Sequence, residues 1–245
     1  MGAAPEVSEK PPVKTRKVQK NFQAGILLKQ YNYVEPAFVD HTGLLYGVWG
    51  EWLWGSALGN GRANGDIVFG NIAYEGSKCD NVSCEPLSSS TLDVISKVST
   101  RLEYNILPGV GVFAGLGGRY LYDKGADTSH YRRTGMWAFI PVGGFVTINT
   151  AIGQLLFDLQ YEHIVYGTMQ SKLSDVSSIY EDITHSQSGS GLALSAGLQT
   201  DEYSVTLFSE QWNLDRSNTV ETNSGFYTEP ANYSTVTGLK LGYKF

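Results

Sequence analysis

The chain has 245 residues and a formal net charge of −6. It is long enough for one domain with a large interior, too acidic for a nucleic-acid binder, and without the 18-residue apolar run that a spanning helix needs. Charged residues make up 17%, with 28 glycines and 15 tyrosines, where about a quarter charged is usual for a soluble domain. That mixture suits a membrane barrel, whose strands face lipid on one side, and also a soluble β-sandwich, which stays the alternative at the level of fold class.

Residues 1–20 stand apart, with five basic and two acidic residues, three prolines and almost no apolar content. They read as a disordered basic tail, and the charged start, apolar core and cleavage site of a signal peptide are not visible in them. Ten strand-like segments follow, near 22–34, 43–57, 64–75, 90–105, 110–123, 132–147, 152–165, 188–199, 202–213 and 233–245. In the second, Leu44, Tyr46, Val48, Trp52 and Trp54 oppose Gly43, Gly47 and Glu51, the period-two pattern of a strand with two different faces. After the third come the two cysteines, Cys79 and Cys84; no histidine lies close, so a short disulfide loop is expected rather than a metal site. The fourth sets Leu92, Val94, Val98, Leu102 and Tyr104 against Asp93, Lys97, Arg101 and Glu103. The fifth sets Val110, Val112, Ala114, Leu116, Tyr120 and Tyr122 against glycines, Arg119 and Asp123. The seventh sets Leu155, Phe157, Leu159 and Tyr161 against Gln154, Asp158, Gln160 and Glu162, and the eighth sets Leu192, Leu194, Ala196 and Leu198 against Gly191, Ser195, Gly197 and Gln199. Segments one, three and six alternate less cleanly. The last carries Leu239, Leu241, Tyr243 and Phe245 on one face, with Lys240 and Lys244 on the other.

The connections add parity. Those near 58–62, 106–109, 148–151 and 200–201 are short and carry Gly, Pro, Asn and Asp, the residues of tight turns. Those near 35–42, 76–89, 124–131, 166–187 and 214–232 are long. Most segments exceed the five or six residues common in soluble sheets and match the roughly nine to eleven that a tilted strand needs within a bilayer. Trp52, Trp54, Tyr104, Tyr203 and Tyr243 would form one aromatic girdle, and Tyr46, Tyr120, Tyr122 and Tyr161 the other.

A closing strand of alternating apolar residues ending on Phe245 resembles the C-terminal signature of bacterial outer-membrane β-barrels. That resemblance implies an all-β, antiparallel, up-and-down transmembrane barrel over 21–245 in a Gram-negative outer membrane. Ten strands are expected, with eight or twelve as alternatives, joined by short periplasmic turns and long extracellular loops. Both termini, and the tail with them, then lie on the periplasmic side. It also implies that the barrel-assembly machinery reads Leu239, Leu241, Tyr243 and Phe245, and that lipid and lipopolysaccharide surround the wall.

Charges facing lipid at mid-membrane cost a few kcal/mol, so Glu51, Asp93, Lys97, Arg101, Glu103, Arg119, Asp158, Glu162, Glu210 and Lys240, with Lys29 and Asp66, are expected to face the lumen. Ten strands enclose a narrow lumen, and mixed charges suggest a polar plug of paired side chains. The expected role is then structural or surface-interacting, carried by the outer loops or the tail. A narrow porin-like channel is the alternative, and a hydrolase the second. Strand number is similar to that of the omptin proteases, which use Asp-x-Asp and Asp-x-His pairs. Neither spacing occurs here, nor does the His-x-Ser of lipid A deacylases. His41, His130 and His185 fall in expected loops, and His163 reads as a surface histidine. Asp175, Glu181 and Asp182 lack calcium-loop spacing. No catalytic residue, metal or cofactor is therefore expected.

Overall fold

The computed structural model describes residues 21–36, 39–56, 59–79, 84–126, 130–223 and 225–245. The basic tail over residues 1–20 lies outside the described residues. The strands are β1 (Asn21–Glu35), β2 (Val39–Ser56), β3 (Gly59–Cys79), β4 (Cys84–Leu107), β5 (Val110–Gly125), β6 (Arg132–Thr150) and β7 (Gly153–Lys172). They continue with β8 (Ile183–Ser186), β9 (Gly189–Gln199), β10 (Tyr203–Leu214), β11 (Val220–Thr222), β12 (Gly225–Tyr227) and β13 (Asn232–Lys244). A 3-10 turn, Leu173–Asp175, follows β7.

Ten of these strands close on themselves. Each of β1 to β7 pairs with its neighbour, β7 pairs with β9, β9 with β10, β10 with β13, and β13 with β1. Every pairing is antiparallel. The result is an up-and-down transmembrane barrel. β8 pairs antiparallel with the outer end of β7, and β11 and β12 form a separate hairpin.

Alternation decides which face looks out. Ile26, Leu44, Val48, Val98, Leu102, Leu159, Leu194 and Leu207 are exposed on the exterior, a continuous apolar surface that water tolerates poorly and lipid accepts. Aromatic rings ring the end where the chain finishes: Trp52 and Trp54 lie 5.1 Å apart, Tyr203 and Tyr243 5.6 Å, and Phe22 and Phe245 5.8 Å. The Phe245 backbone N–H donates to the Phe22 carbonyl at 2.9 Å, so the last residue sits on the seam between β1 and β13. The turn from β4 to β5 is Pro108–Gly109, with Gly109 at φ 79°, the left-handed region that glycine enters without a Cβ penalty.

Several connections expected to be long are strand. β2 begins at Val39, so His41 belongs to the wall, and β3 and β4 remain paired out to Cys79 and Cys84. These extensions stand above the apolar belt, where water satisfies both faces and hydrophobic alternation fades. The same register sets Cys79 opposite Cys84, while their side chains lie outside the described residues. β7 runs to Lys172, beyond the expected end near 165. Its register against β6 shifts by one at Ala138/Phe139, where Tyr166 and Ile164 are the partners. Val165 and Tyr166 are therefore both exposed outside, as a bulge requires, and alternation read along the sequence stops there.

The connection after β7 is braced by charge. Arg132 grips Asp175 through Nε and a terminal nitrogen at 2.6 and 2.7 Å, and Lys172 donates to Asp182 at 2.7 Å. Hydrogen bonds from Lys172 and then Ser174 lower the Asp182 carboxyl to about 2. A depressed carboxylate contributes stability above its unfolded pKa and loses it as pH falls through the folded value. This brace should hold at neutral pH and release between about pH 4 and pH 2. Asp182→Asn should expose Lys172 to trypsin at neutral pH, raising the cleavage rate there several-fold. An unchanged rate would remove the brace from the account.

Candidate functional site

The lumen is layered, and β4 gives the order: Glu103, Arg101, Ser99, Lys97, Ile95, Asp93 and Thr91 face inward in turn from the end bearing the chain terminus to the outer end. The first layer is a chain of hydrogen bonds and ion pairs. Gln23 donates to Glu51 at 2.6 Å, and Arg62 bridges Glu51 at 2.8 Å and Glu103 at 2.7 Å. Arg101 joins Glu103 at 2.9 Å and Asp158 at 2.5 Å, with its guanidinium 3.9 Å from the Phe113 ring centre. Five strands are tied together in this way. Buried ions survive only when paired and hydrogen-bonded, and each carboxylate here has an arginine.

Above it, Lys29 pairs with Asp66 at 2.7 Å, and Lys97 with Glu162 at 2.6 Å and Glu210 at 3.2 Å. The Lys240 ammonium lies over the rings of Phe208 and Trp49 at 5.3 and 5.6 Å, within cation–π range. These two layers line a cavity of about 130 Å³.

The next layer is apolar. Tyr31, Ile95, Trp137, Phe139 and Trp212 are buried across the lumen in one cluster. Phe139 meets Trp212 edge to face at 5.5 Å. Arg119 lies 4.6 Å from the Trp212 ring centre and 5.6 Å from that of Trp137. Gly117 and Gly167 admit the Phe139 and Trp137 rings where a Cβ would collide with them. The expected plug was polar throughout, with Arg119 paired to a carboxylate. Instead Arg119 lies over indoles and reaches the Ser234 hydroxyl at 3.5 Å, and this layer is a small hydrophobic core.

Beyond this waist lies an outer chamber of about 350 Å³ that shares no lining residue with the lower cavity. Arg133 organises one side, donating to Glu35 at 3.1 Å, Glu229 at 3.0 Å and the Tyr33 hydroxyl at 3.2 Å. Ser171 adds a bond to Glu229 at 2.8 Å. Glu229 follows the β11–β12 hairpin, so the fifth outer loop folds inward over the mouth. The fourth and fifth loops are knit by Asn223 to Glu181 at 2.8 Å and by the Asn218 side chain accepting from the Ser186 N–H at 2.7 Å. On the other side, His41, Asp93 and Asp123 converge.

Every charged residue expected in the lumen faces it, and the ion pairs join Glu51, Lys97, Arg101, Glu103, Asp158, Glu162 and Glu210. Asp93 instead stands opposite Asp123, which lines the outer chamber. Sequence reasoning missed Arg62, placed in a turn, and Arg133, Glu35 and Glu229, placed in loops or in the blurred sixth segment. His41 and His185 were assigned to loops and are buried inside the wall. His163 is exposed on the exterior face, as its register implied.

No protein-family model and no curated protein matches the chain. Solved structures do. The outer-membrane protease OmpT of Escherichia coli aligns over 95% of this chain and 99% of its own, at 12% identity and a TM-score of 0.54. The translocator domain of autotransporter NalP from Neisseria meningitidis aligns over 95% and 91%, at 12% identity and a TM-score of 0.42. Ail of Yersinia pestis aligns over 93% and 99%, at 9% identity and a TM-score of 0.34. The fold is that of the bacterial outer-membrane β-barrels. At these identities the likeness concerns the fold alone, and function is argued from the site.

Proposed function

We propose that this chain is a bacterial outer-membrane barrel with a closed lumen, acting without catalysis through its outer surface. The observation that carries this reading is the waist. Trp137, Phe139 and Trp212 are buried together in the lumen with Arg119 over both indoles, and the ion-paired layers lie beneath it. Ions crossing this barrel would have to pass among these buried rings.

The outer end supports a surface role. Ile179 is 79% exposed and Phe226 73% exposed, and both stand on loops tied to each other by Asn223 and Glu181. Apolar side chains presented on braced loops suit recognition of a protein or cell-surface partner. Lipid and lipopolysaccharide would surround the wall, and the assembly machinery would engage Leu239, Leu241, Tyr243 and Phe245. A Cys79–Cys84 bridge is part of the proposal, because their facing register would let it staple the tip of the β3–β4 hairpin.

The test is conductance in planar bilayers. Folded protein should insert and stay silent. Stable unitary openings from the native chain would replace this reading with a narrow channel, and turnover on a panel of lipids and peptides would overturn its non-catalytic part.

A further inference from the structure

We propose that His41, Asp93 and Asp123 form a binding site for a divalent transition-metal ion at the outer mouth of the barrel. One ring nitrogen of His41 and one carboxylate oxygen from each aspartate lie within 4.8 Å of one another. The three residues come from β2, β4 and β5, and all are buried, at 2%, 1% and 6% exposure.

The backbone makes this arrangement costly for two ionised carboxylates without a bound cation. Asp93 and Asp123 stand directly opposite each other across the β4–β5 ladder. Like charges in that position repel, and burial strengthens the repulsion. Among the described residues no ion pair joins either carboxylate to a lysine or arginine. Thr91 donates to Asp93 at 2.6 Å, which fixes one carboxylate without neutralising it. Arg133, the cation of this chamber, is held by Glu35 and Glu229.

The histidine is an independent sign. His41 Nε2 is buried without a hydrogen-bond partner, a state that normally demands an explanation. Its ring is held in place by Tyr33 at 5.4 Å and Tyr74 at 4.7 Å between centres. An imidazole held between two tyrosine rings, with one nitrogen free of hydrogen bonds and two carboxylates without an ion pair close by, is a ligand set open to a cation.

The donor set selects the class. One imidazole and two carboxylates suit Zn²⁺, Co²⁺ or Mn²⁺ better than Ca²⁺, which wants six to eight oxygens. Ligands at about 2.1 Å from a tetrahedral ion stand about 3.4 Å apart, so modest side-chain closure completes the shell. Asp123 also lines the outer chamber, which gives the ion a route in and leaves its fourth position to water.

The full chain, folded in detergent, stripped with chelator and titrated with ZnCl₂ by calorimetry, should bind one equivalent. Co²⁺ should give visible absorption bands that Zn²⁺ bleaches. His41→Ala and Asp123→Asn should each weaken Zn²⁺ at least tenfold, whereas Asp201→Asn, exposed in the β9–β10 turn at the opposite end of the barrel, should leave it unchanged. Asp123→Asn is nearly isosteric and relieves repulsion, so it should fold even where His41→Ala does not. No Zn²⁺ binding by the native chain would overturn the proposal, as would binding undiminished in both variants. This test is independent of the conductance test.

Discussion

Replacing Arg62 with methionine is expected to destabilise the folded barrel by about 3–5 kcal/mol, the usual consequence of removing one partner from a buried ion pair. Arg62 neutralises Glu51 and Glu103 together. Without it, Glu51 keeps only the Gln23 amide and Glu103 shares Arg101 with Asp158. Urea unfolding in lipid vesicles, followed by tryptophan fluorescence, measures the loss. The triple variant Arg62→Met, Glu51→Gln, Glu103→Gln should recover much of it, because neutral groups no longer need the guanidinium. A loss below about 1 kcal/mol in the single variant would mean that water reaches this layer and screens it.

The second large effect concerns the waist. Arg119→Ala combined with Trp212→Ala removes a guanidinium–indole pair from this layer. Truncating a buried tryptophan alone typically costs about 3–5 kcal/mol, so the variant should be less stable. It should also pass ions where the native chain does not. The outer chamber is lined by Glu35, Asp123 and Glu229 against Arg133, so the opened barrel should prefer cations. Reversal potentials under a salt gradient read the preference directly. A folded double variant that remains silent would place the barrier in the ion-paired layers beneath, where Lys97 joins Glu162 and Glu210.

Much of the fold is legible in the amino-acid order, for a physical reason. Where one face meets lipid and the other meets charge, alternation is unambiguous, and β4, β5, β9 and β13 follow it. Alternation blurs in the first, third and sixth segments. There Leu27 and Tyr31, Val68 and Ile72, and Trp137 and Phe139 point inward while Ile26, Ile67 and Met136 point out. Those three strands carry much of the apolar waist, so the blurring was itself a sign of a hydrophobic layer inside the lumen. Two further features were hidden differently. The β7 bulge shifts the pattern after Ile164, which concealed the last third of that strand. The outer chamber draws on Glu35, Arg133, His185 and Glu229, which are remote in sequence and lie where strands leave the membrane and period two carries no information. Only the closed ladder brings them together.

The seam between β1 and β13 bears on how such a molecule comes to exist. It pairs Gln23 with Lys244 and Val34 with Tyr233, joining segments roughly 200 residues apart. Loop-closure entropy grows only with the logarithm of length, by about 0.6 kcal/mol per doubling. Closing this seam therefore costs only about 2 kcal/mol more than closing a hairpin of some 20 residues. The penalty for leaving it open is far greater, because two strand edges would present unpaired amides to hydrocarbon at several kcal/mol each. Hairpins can form one at a time in an aqueous or chaperoned state, but inside the bilayer the ring has no stable partial form. Insertion and closure must therefore be a single cooperative event, with the aromatic clasp of Phe22 and Phe245 among its last contacts to form.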